Sequence, residues 1–338
     1  MKKKNNGITV LGLILVILIV LILVCVLYSS RVLEKVADRV SIAYKTATRQ
    51  IDIQSEIEEN EKLLGTTDVT GEGIIISILD GNDLIHQEDL IILIDELKNS
   101  GSQAISINEQ RITNSTYLYC DGSVILIDGV KIGNPFTIKA IGDTETIYGA
   151  LTRNKGYLET LNKDGIEINV EKSEEVSILK TNKEELYEYQ EKNSVEKLYL
   201  TNQLVGKSHA YGKGVSIEIQ ENSTRLTALS FLQIVNDLNS AGAKAISING
   251  QRVTTLTDMM DISNTYVLIN SIPIKSPFYI DVIGNQDKIE EALSYNNSYV
   301  TKLKSKGDSV TIYKYNMLEV EKYQQKKDQD KMLINYLK

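Results

Sequence analysis

The pattern of apolar and polar residues divides the chain into an apolar segment near its start, a polar segment with an apolar stripe, and two similar halves. Residues 8–28 are mostly Leu, Ile and Val and carry no charged side chain. About 20 such residues span the hydrocarbon core of a bilayer. A cleaved signal peptide would have a shorter apolar region and a small-residue cleavage site. We therefore expect an uncleaved transmembrane anchor.

Charge predicts the orientation of this anchor. Lys2, Lys3 and Lys4 precede the apolar segment, whereas the residues that follow it carry mixed charge. Positively charged flanks stay on the cytoplasmic side of a membrane. We therefore expect a single-pass protein of the cell membrane, with a cytoplasmic N-terminus and extracytoplasmic C-terminal domains.

The segment after the anchor has apolar residues at steps of three and four. The stripe consists of Leu33, Val36, Val40, Ala43 and Ala47. This spacing predicts a helical stalk with a heptad-like face. Two interpretations remain open: the stalk pairs with a second stalk in self-association, or it is a solvated spacer helix.

The rest of the chain contains one pattern twice. The sequence GSQAISINEQR (residues 101–111) recurs 141 residues later as GAKAISINGQR (residues 242–252). In each copy an amphipathic helix precedes the glycine, and alternating apolar residues indicate strands around it. We predict the order β-α-β-β-β-β-α-β for each copy. The fold class is then α+β, with two duplicated sandwich domains of mostly antiparallel sheet and helices on one face.

Several local features of each copy can be predicted further. The second helix is expected around residues 147–161 and 288–303, and the last strand at 165–170 and 308–314. Asp-Gly pairs at 121–122 and 128–129 indicate tight turns between strands. Neither pair has an Asp-Gly counterpart in the second copy.

The predicted organisation follows from these patterns. Its segments are a cytoplasmic tail and anchor (1–30), a helical stalk (31–70), the first domain (71–180), a helical connector (181–212), the second domain (213–320) and a helical tail (321–338).

The repeated runs carry a resemblance to a known family. AISINEQRI and AISINGQRV follow a helix, and PFTIKAIGD or SPFYIDVIGN comes later in each copy. In these features the chain resembles the DUF881 family, over roughly residues 71–180 and 213–320. The resemblance implies a membrane-anchored protein of unknown activity, with a transmembrane helix and a coiled-coil stretch. Some members of the family are labelled division initiation proteins. It implies no catalytic residues, and this chain differs in having two copies.

Composition narrows the classes of function. The formal net charge is -8, which argues against nucleic acid as a partner. Cys25 lies inside the apolar segment and Cys120 lies far downstream of it, so we expect no disulfide between them. The chain has two histidines, His86 and His209, so no triad that needs histidine can be shared by both copies.

One acidic run suggests a metal or acid–base site. Residues 80–89 read DGNDLIHQED, but the second copy has QENSTRLTAL at this place. Acidic residues are also common at the start of a helix, where they interact with its dipole. We expect a loop that leads into a helix, and neither a metal site nor a cofactor.

The strongest candidate for a ligand-binding site is the polar part of the repeated run. Its members are Ser106, Asn108, Gln110, Arg111, Ser247, Asn249, Gln251 and Arg252. These side chains either stabilise the turn after the strand or line a groove in which arginine binds a carboxylate. We favour the structural interpretation and keep the groove as the alternative.

Three functions are compatible with these observations. The leading hypothesis is a non-catalytic, membrane-tethered interaction or scaffold protein of the bacterial envelope, with envelope or division proteins as partners. The alternative is a ligand-binding or sensory ectodomain that uses the polar groove. An envelope enzyme is disfavoured by the histidine count.

Overall fold

A computed structural model describes residues 10–122 and 124–324, which belong to two units, residues up to 56 and residues from 57 onward. The first unit consists of helix α1 (Val10–Leu64) up to residue 56. By length and composition α1 can cross a membrane, with a mean hydropathy of 2.7 in its most apolar window. The side chains of the predicted stalk stripe are exposed. Lys2, Lys3 and Lys4 lie outside the described residues.

The second unit begins with the end of α1 and continues into the first copy. Its elements are β1 (Val69–Leu79), α2 (Gln87–Asn99), β2 (Ala104–Ile107), β3 (Gln110–Arg111), β4 (Leu118–Asp121), β5 (Val124–Ile127), β6 (Val130–Ile132), β7 (Phe136–Ile141), α3 (Thr144–Leu151), α4 (Tyr157–Lys163) and β8 (Glu167–Ile178).

The second copy follows a connector that contains a short 3₁₀ helix (Glu184–Tyr187). Its elements are α5 (Ser194–Leu204), β9 (Ala210–Gln220), α6 (Ala228–Ser240), β10 (Ala245–Ile248), β11 (Gln251–Arg252), β12 (Met259–Asp261), β13 (Val267–Ile269), β14 (Ile272–Ile274), β15 (Phe278–Ile283), α7 (Gln286–Ser294), α8 (Tyr299–Lys306) and β16 (Ser309–Val320).

Each copy is built on a five-stranded antiparallel sheet. The strand order is β3-β2-β7-β1-β8 in the first copy and β11-β10-β15-β9-β16 in the second. On one face, Ile74, Ile76 and Ile78 pack with residues of α2, α3 and α4 in a single core. Val215, Ile217 and Ile219 form the corresponding core in the second copy. The predicted α+β fold with two antiparallel-sheet domains is therefore confirmed.

A second, three-stranded sheet completes each copy. Its order is β4-β5-β6 in the first copy and β12-β13-β14 in the second. Asp128 and Gly129 turn between β5 and β6 with positive φ. Asn270 and Ser271 adopt the same kind of turn, with φ of 52° and 64°. The turn therefore exists in both copies, although sequence comparison finds no Asp-Gly pair in the second.

The structure corrects several predicted elements. Strands β3 and β6 are additional, and the single helix expected at 147–161 is two helices, because residues 152–156 interrupt it. Strand β8 extends to Ile178 rather than ending at 170, since it pairs with β1 along its whole length across a bulge. In the connector only α5 and the 3₁₀ turn are helical. Residues 321–324 are not helical, and the rest of the expected helical tail lies outside the described residues.

Candidate functional site

The serines of the repeated run lie inside the protein. Ser106 on β2 and Ser247 on β10 are buried on the face opposite the main core. They lie directly opposite Arg111 and Arg252, which are on the neighbouring strands β3 and β11. The Ser106 hydroxyl has no hydrogen-bond partner among the described residues. Small side chains at these positions leave room on the sheet face for the neighbouring arginine side chains.

The asparagines fix the loop that leads into the next strand. Asn108 has φ of 45°, a left-handed conformation that asparagine tolerates better than most residues. Its side-chain oxygen accepts from the Thr137 amide at 2.7 Å, and its amide nitrogen donates to the Gly133 carbonyl at 2.7 Å. Asn249 has φ of 46° and accepts from the Tyr279 amide at 2.7 Å. Both side chains therefore serve their own domain.

The glutamines extend the sheet by one short strand. Gln110 pairs with Ile107, and Gln251 pairs with Ile248, in the same register. Gln110 is half-buried and Gln251 is buried. Each glutamine lies between the left-handed turn and the arginine. Its strand pairing therefore places the arginine at the edge of the sheet.

The arginines bind the end of the helix that precedes each copy. Arg111 Nη2 donates to the Lys62 carbonyl in the last turn of α1 at 3.0 Å. Arg252 Nη2 donates to the Gln203 carbonyl in the last turn of α5 at 2.9 Å. Carbonyl groups at a helix end have no partner within the helix and carry the negative end of its dipole. A guanidinium group donates a hydrogen bond to such a carbonyl and places a positive charge at the negative end of the dipole.

A glycine and a strand end complete this arrangement. Gly65, with φ of 75°, follows α1, and a Cβ there would lie 3.0 Å from Arg111 Cγ. The Gly65 carbonyl accepts from the Thr181 amide at 2.7 Å. We call this set the arginine latch: Arg111 with Lys62, Gly65 and Thr181 in the first copy, and Arg252 with Gln203, Gly206 and Tyr323 in the second. The second latch has the same Gly206–Tyr323 distance of 2.7 Å.

Burial changes the electrostatics of both latches. Desolvation lowers the pKa of Arg111 to about 10, and the negative charge of Asp68 acts in the opposite direction. Desolvation likewise lowers the pKa of Arg252 to about 10. Both arginines therefore remain charged at neutral pH. Arg111 Nη1 has no hydrogen-bond partner among the described residues, whereas Arg252 Nη1 donates to the Glu321 carbonyl at 3.5 Å.

The two copies also contact each other through equivalent residues. Asp95 on α2 accepts from the Met259 amide at 3.2 Å. Asn236, at the equivalent place on α6, accepts from the Leu118 amide at 2.7 Å and donates to the Leu118 carbonyl at 2.9 Å. Leu118 and Met259 are themselves equivalent positions. Each copy therefore offers a helix to the small sheet of the other.

The reciprocal pattern continues at the helix ends. Asn114 donates to the Leu204 carbonyl at 3.0 Å, and its equivalent Thr255 donates to the Leu63 carbonyl at 3.1 Å. Asn60 donates to the hydroxyl of its own equivalent, Thr201, at 3.0 Å. Contacts of this kind define an isologous interface, in which the same patch is used on both sides. The copies are thus related by an approximate two-fold axis near Asn60 and Thr201.

Two cavities lie between the copies at equivalent places. The smaller, of about 410 Å³, is lined by Arg252, Lys244 and residues of the connector such as Lys183. The larger, of about 1120 Å³, is lined by Arg111 and by Thr255 of the other copy. Of the predicted site residues only the two arginines line these cavities. The predicted set is therefore not brought together as one groove.

The acidic run is a helix-leading loop. Asp80 accepts from the Ile85 amide at 2.7 Å, and Asp89 accepts from the His86 amide at 2.6 Å. His86 is the residue at which α2 is capped. Within residues 10–122 and 124–324, no group of histidine, cysteine and acidic side chains has the arrangement of a metal site. Cys25 and Cys120 are both free.

Sequence reasoning did not find the interface between the copies. A weak signal was present: Asp95 and Asn236 are polar residues among the apolar positions of otherwise amphipathic helices. Their partners are backbone groups 118 or more residues away along the chain. Such partners leave no pattern in the sequence around either residue.

Comparisons with known proteins agree with the duplicated architecture. The chain is 29% identical over 150 residues to UPF0749 protein YlxW of Bacillus subtilis (strain 168), which covers 40% of this chain and 65% of that protein. It is 27% identical over 146 residues to UPF0749 protein YlxX of the same organism, covering 40% of this chain and 62% of that protein. Each match thus spans less than two thirds of the relative.

A solved structure is also similar. The crystal structure of an uncharacterized conserved protein from Mycobacterium tuberculosis matches with 26% identity and a TM-score of 0.36, over 37% of this chain and 90% of that one. The profile described as "Bacterial protein of unknown function (DUF881)" matches residues 56–191 and again residues 197–332. Each matched segment includes the end of the helix that its latch holds. The chain therefore belongs to the DUF881 family, with two tandem copies of the family domain.

Proposed function

We propose that this protein is a non-catalytic, membrane-tethered interaction or scaffold protein of the bacterial envelope, with a cytoplasmic N-terminus and its C-terminal domains outside the cytoplasm. The apolar part of α1 supports the tether, and the lysines before it support the orientation. The exposed stripe on the stalk segment supports self-association of the chain through that helix.

The main support for the proposal is that the repeated polar run binds backbone groups of its own copy. Its arginines bind helix-end carbonyls, and its asparagines bind loop backbone. These groups hold each domain to the helix in front of it. A repeated polar run that serves helix ends and loops suits a protein that acts through its surfaces rather than through a reaction.

Labelling of engineered cysteines tests the tether and its orientation. In a background with Cys25→Ser and Cys120→Ser, we expect Glu174→Cys to react with a membrane-impermeant maleimide in intact cells. Asn5→Cys should react only after permeabilisation. The reverse pattern, or release of the chain from membranes by carbonate, would contradict the proposal.

The association with cell division that the resemblance implies is part of the same proposal. A fluorescent fusion that retains α1 should concentrate at division sites in growing cells. Uniform distribution around the envelope throughout division would remove this part and leave the tether intact.

Ligand binding is a second candidate, and the two cavities favour it. A buried arginine lines each cavity, and this side chain recognises carboxylates. If the candidate is correct, a small carboxylate at millimolar concentration should raise the melting temperature of the purified chain. Leu256→Trp, which fills the larger cavity without changing a latch, should abolish the rise. No rise with any of a panel of carboxylates would exclude the candidate.

A further inference from the structure

The outer sheet face of the second copy carries an unusual set of side chains. This face is the side of the main sheet opposite the core, and we define it by Glu218, Tyr279, Asp281, Tyr313 and Tyr315. On adjacent strands, Tyr279 pairs directly with Glu218. Asp281 and Tyr313 lie on either side of Ser216 in one cross-strand row. All five side chains therefore project from one surface.

The three tyrosines of this face are accessible to a partner. Tyr279 and Tyr313 are each 45% exposed, and Tyr315 is 43% exposed. Two of the three hydroxyls converge on one carboxylate: Tyr279 donates to Glu218 Oε1 at 3.5 Å, and Tyr313 donates to Oε2 at 3.3 Å. The negative charge of Glu218 raises the pKa of Tyr313. The Tyr279 and Tyr313 side chains thus flank the carboxylate of Glu218.

The first copy has different chemistry at the same register positions. Thr137 and Ser77 stand in the places of Tyr279 and Glu218. Lys139 stands in the place of Asp281 and forms an ion pair with Glu109. The residues in the places of Tyr313 and Tyr315 are Glu171 and Ser173. At these positions the second copy therefore has aromatic rings in place of Thr137, Glu171 and Ser173, and acids in place of Ser77 and Lys139.

Within the part of the chain that the structure describes, neither Glu218 nor Asp281 forms an ion pair. Lys314 lies between Tyr313 and Tyr315 on β16 but projects from the opposite face, where it pairs with Asp287 and Glu290 of α7. Two uncompensated acids among exposed tyrosines provide both elements of cation recognition, namely charge-assisted hydrogen bonds and ring faces.

We propose that the outer sheet face of the second copy binds an extended, basic segment of a protein partner. Alternate residues along a strand repeat every 6 to 7 Å, roughly, as do the side chains of an extended peptide. Lysines or arginines at alternate positions can therefore contact Tyr313 and Tyr315 in turn while reaching Glu218 and Asp281. This proposal deepens the interaction role above and rests on it.

A peptide-binding measurement tests this proposal on the full chain in detergent micelles. The probe is a fluorescein-labelled octapeptide of alternating lysine and threonine, followed by fluorescence anisotropy. We expect Glu218→Gln with Asp281→Asn to weaken binding at least tenfold. The matched control, Glu171→Gln with Glu175→Gln, removes the same charge from the first copy and should change binding less than twofold.

The tyrosines supply a second arm. Tyr313→Ala should weaken the octapeptide severalfold, whereas Tyr313→Phe, which keeps the ring, should retain most of the affinity. Equal losses in the two acid-to-amide pairs would overturn the proposal, because they would indicate diffuse attraction to an acidic protein. Binding of a neutral N-acetylglucosamine hexamer that persists in Glu218→Gln with Asp281→Asn, without octapeptide binding, would also overturn it. Neither outcome depends on the cysteine-labelling result.

Discussion

The two copies of the domain share their construction and differ on their surfaces. Both have the arginine latch, the asparagine-fixed loop and the same strand order. On the outer sheet face, however, Lys139 of the first copy corresponds to Asp281 of the second. At the interface Asp95 corresponds to Asn236. The latch arginines and loop asparagines, which bind backbone of their own copy, are the same in both copies, whereas these groups on the sheet face and at the interface differ.

The comparison of the two copies distinguishes a structural role of the repeated run from a ligand-binding role. A ligand site used by both copies would be expected to keep its solvent-facing chemistry. Here the retained residues are buried or half-buried and serve helix ends and loops, while the exposed rows have diverged. Duplication therefore preserved a scaffold and allowed the second copy to acquire a separate binding surface.

The largest expected effect tests whether the two sheets are equivalent. A Cβ at Gly73 would lie 2.0 Å from the Ala140 carbonyl oxygen, and a Cβ at Gly214 would lie 2.1 Å from that of Val282. Backbone must move in both cases, so Gly73→Ala and Gly214→Ala should each cost about 3 kcal/mol or more. Urea unfolding measures the loss. Gly149→Ala, in open space on α3, is the control and should be neutral or slightly stabilising. A large loss in only one of Gly73→Ala and Gly214→Ala would contradict the equivalence of the two sheets.

The next effect concerns the interface between the copies. Asn236→Ala removes the bonds to both backbone groups of Leu118, which is buried. Leaving these groups unsatisfied should cost about 1 to 3 kcal/mol. Asn297→Ala, at an exposed turn, is the control and should change stability by less than about 0.5 kcal/mol. A loss no larger than that of the control would mean that the copies do not depend on this contact.

The equivalent position in the first copy should respond to pH. Burial raises the pKa of Asp95 from 3.8 to about 7, with nearby Lys98 acting in the opposite direction and Asp258 adding to the rise. The folded state therefore holds the proton more tightly than the unfolded state. This group favours folding most below about pH 4, and its contribution declines as the pH rises towards 7.

Asp95→Asn should make the first copy resemble the second. An amide needs no proton, so the variant should be more stable than the wild type at pH 8, by about 1 to 3 kcal/mol. The decline in melting temperature between pH 4 and 7 should become smaller. An unchanged pH profile would show that Asp95 is ionised in the folded protein without penalty.

The smallest expected effect compares the two tight turns. Ser271 has φ of 64°, where its equivalent Gly129 has φ of 81°. Glycine adopts positive φ without steric cost. Ser271→Gly should therefore stabilise the second copy by about 0.5 to 1 kcal/mol, and Gly129→Ser should destabilise the first by a similar amount. Equal signs for the two substitutions in thermal melts would contradict the assignment of equivalent turns.

Much of the fold could be predicted because it depends on local pattern. Alternation in the isoleucine-rich strands and the glycines at helix ends predicted β1, α2 and β2 and the correspondence between copies. Two-residue strands such as β3 are too short to produce a pattern. The extension of β8 follows from pairing with β1, which alternation in a polar strand does not reveal.

The candidate site was predictable only as a set of residues. The sequence drew attention to Arg111 and Arg252 because they recur, but their acceptors are carbonyls 49 residues earlier in the chain. Every residue has a carbonyl, so no sequence feature identifies the one that is bound. The tyrosine face was missed for a related reason, since its members come from three strands that only the sheet register brings together.

We infer that the two arginine latches hold each domain to the helix before it, and thermal unfolding of two variants tests this claim. Arg111→Ala and Arg252→Ala should each destabilise the protein by about 1 to 3 kcal/mol, because each leaves a buried helix end without its donor. Arg153→Ala, which breaks a surface ion pair with Glu96, should cost less than about 1 kcal/mol. Melting temperatures that fall in both latch variants and stay near the wild-type value in Arg153→Ala would agree with the claim. Unchanged melting in both latch variants would contradict it and would make the repeated run a binding site instead.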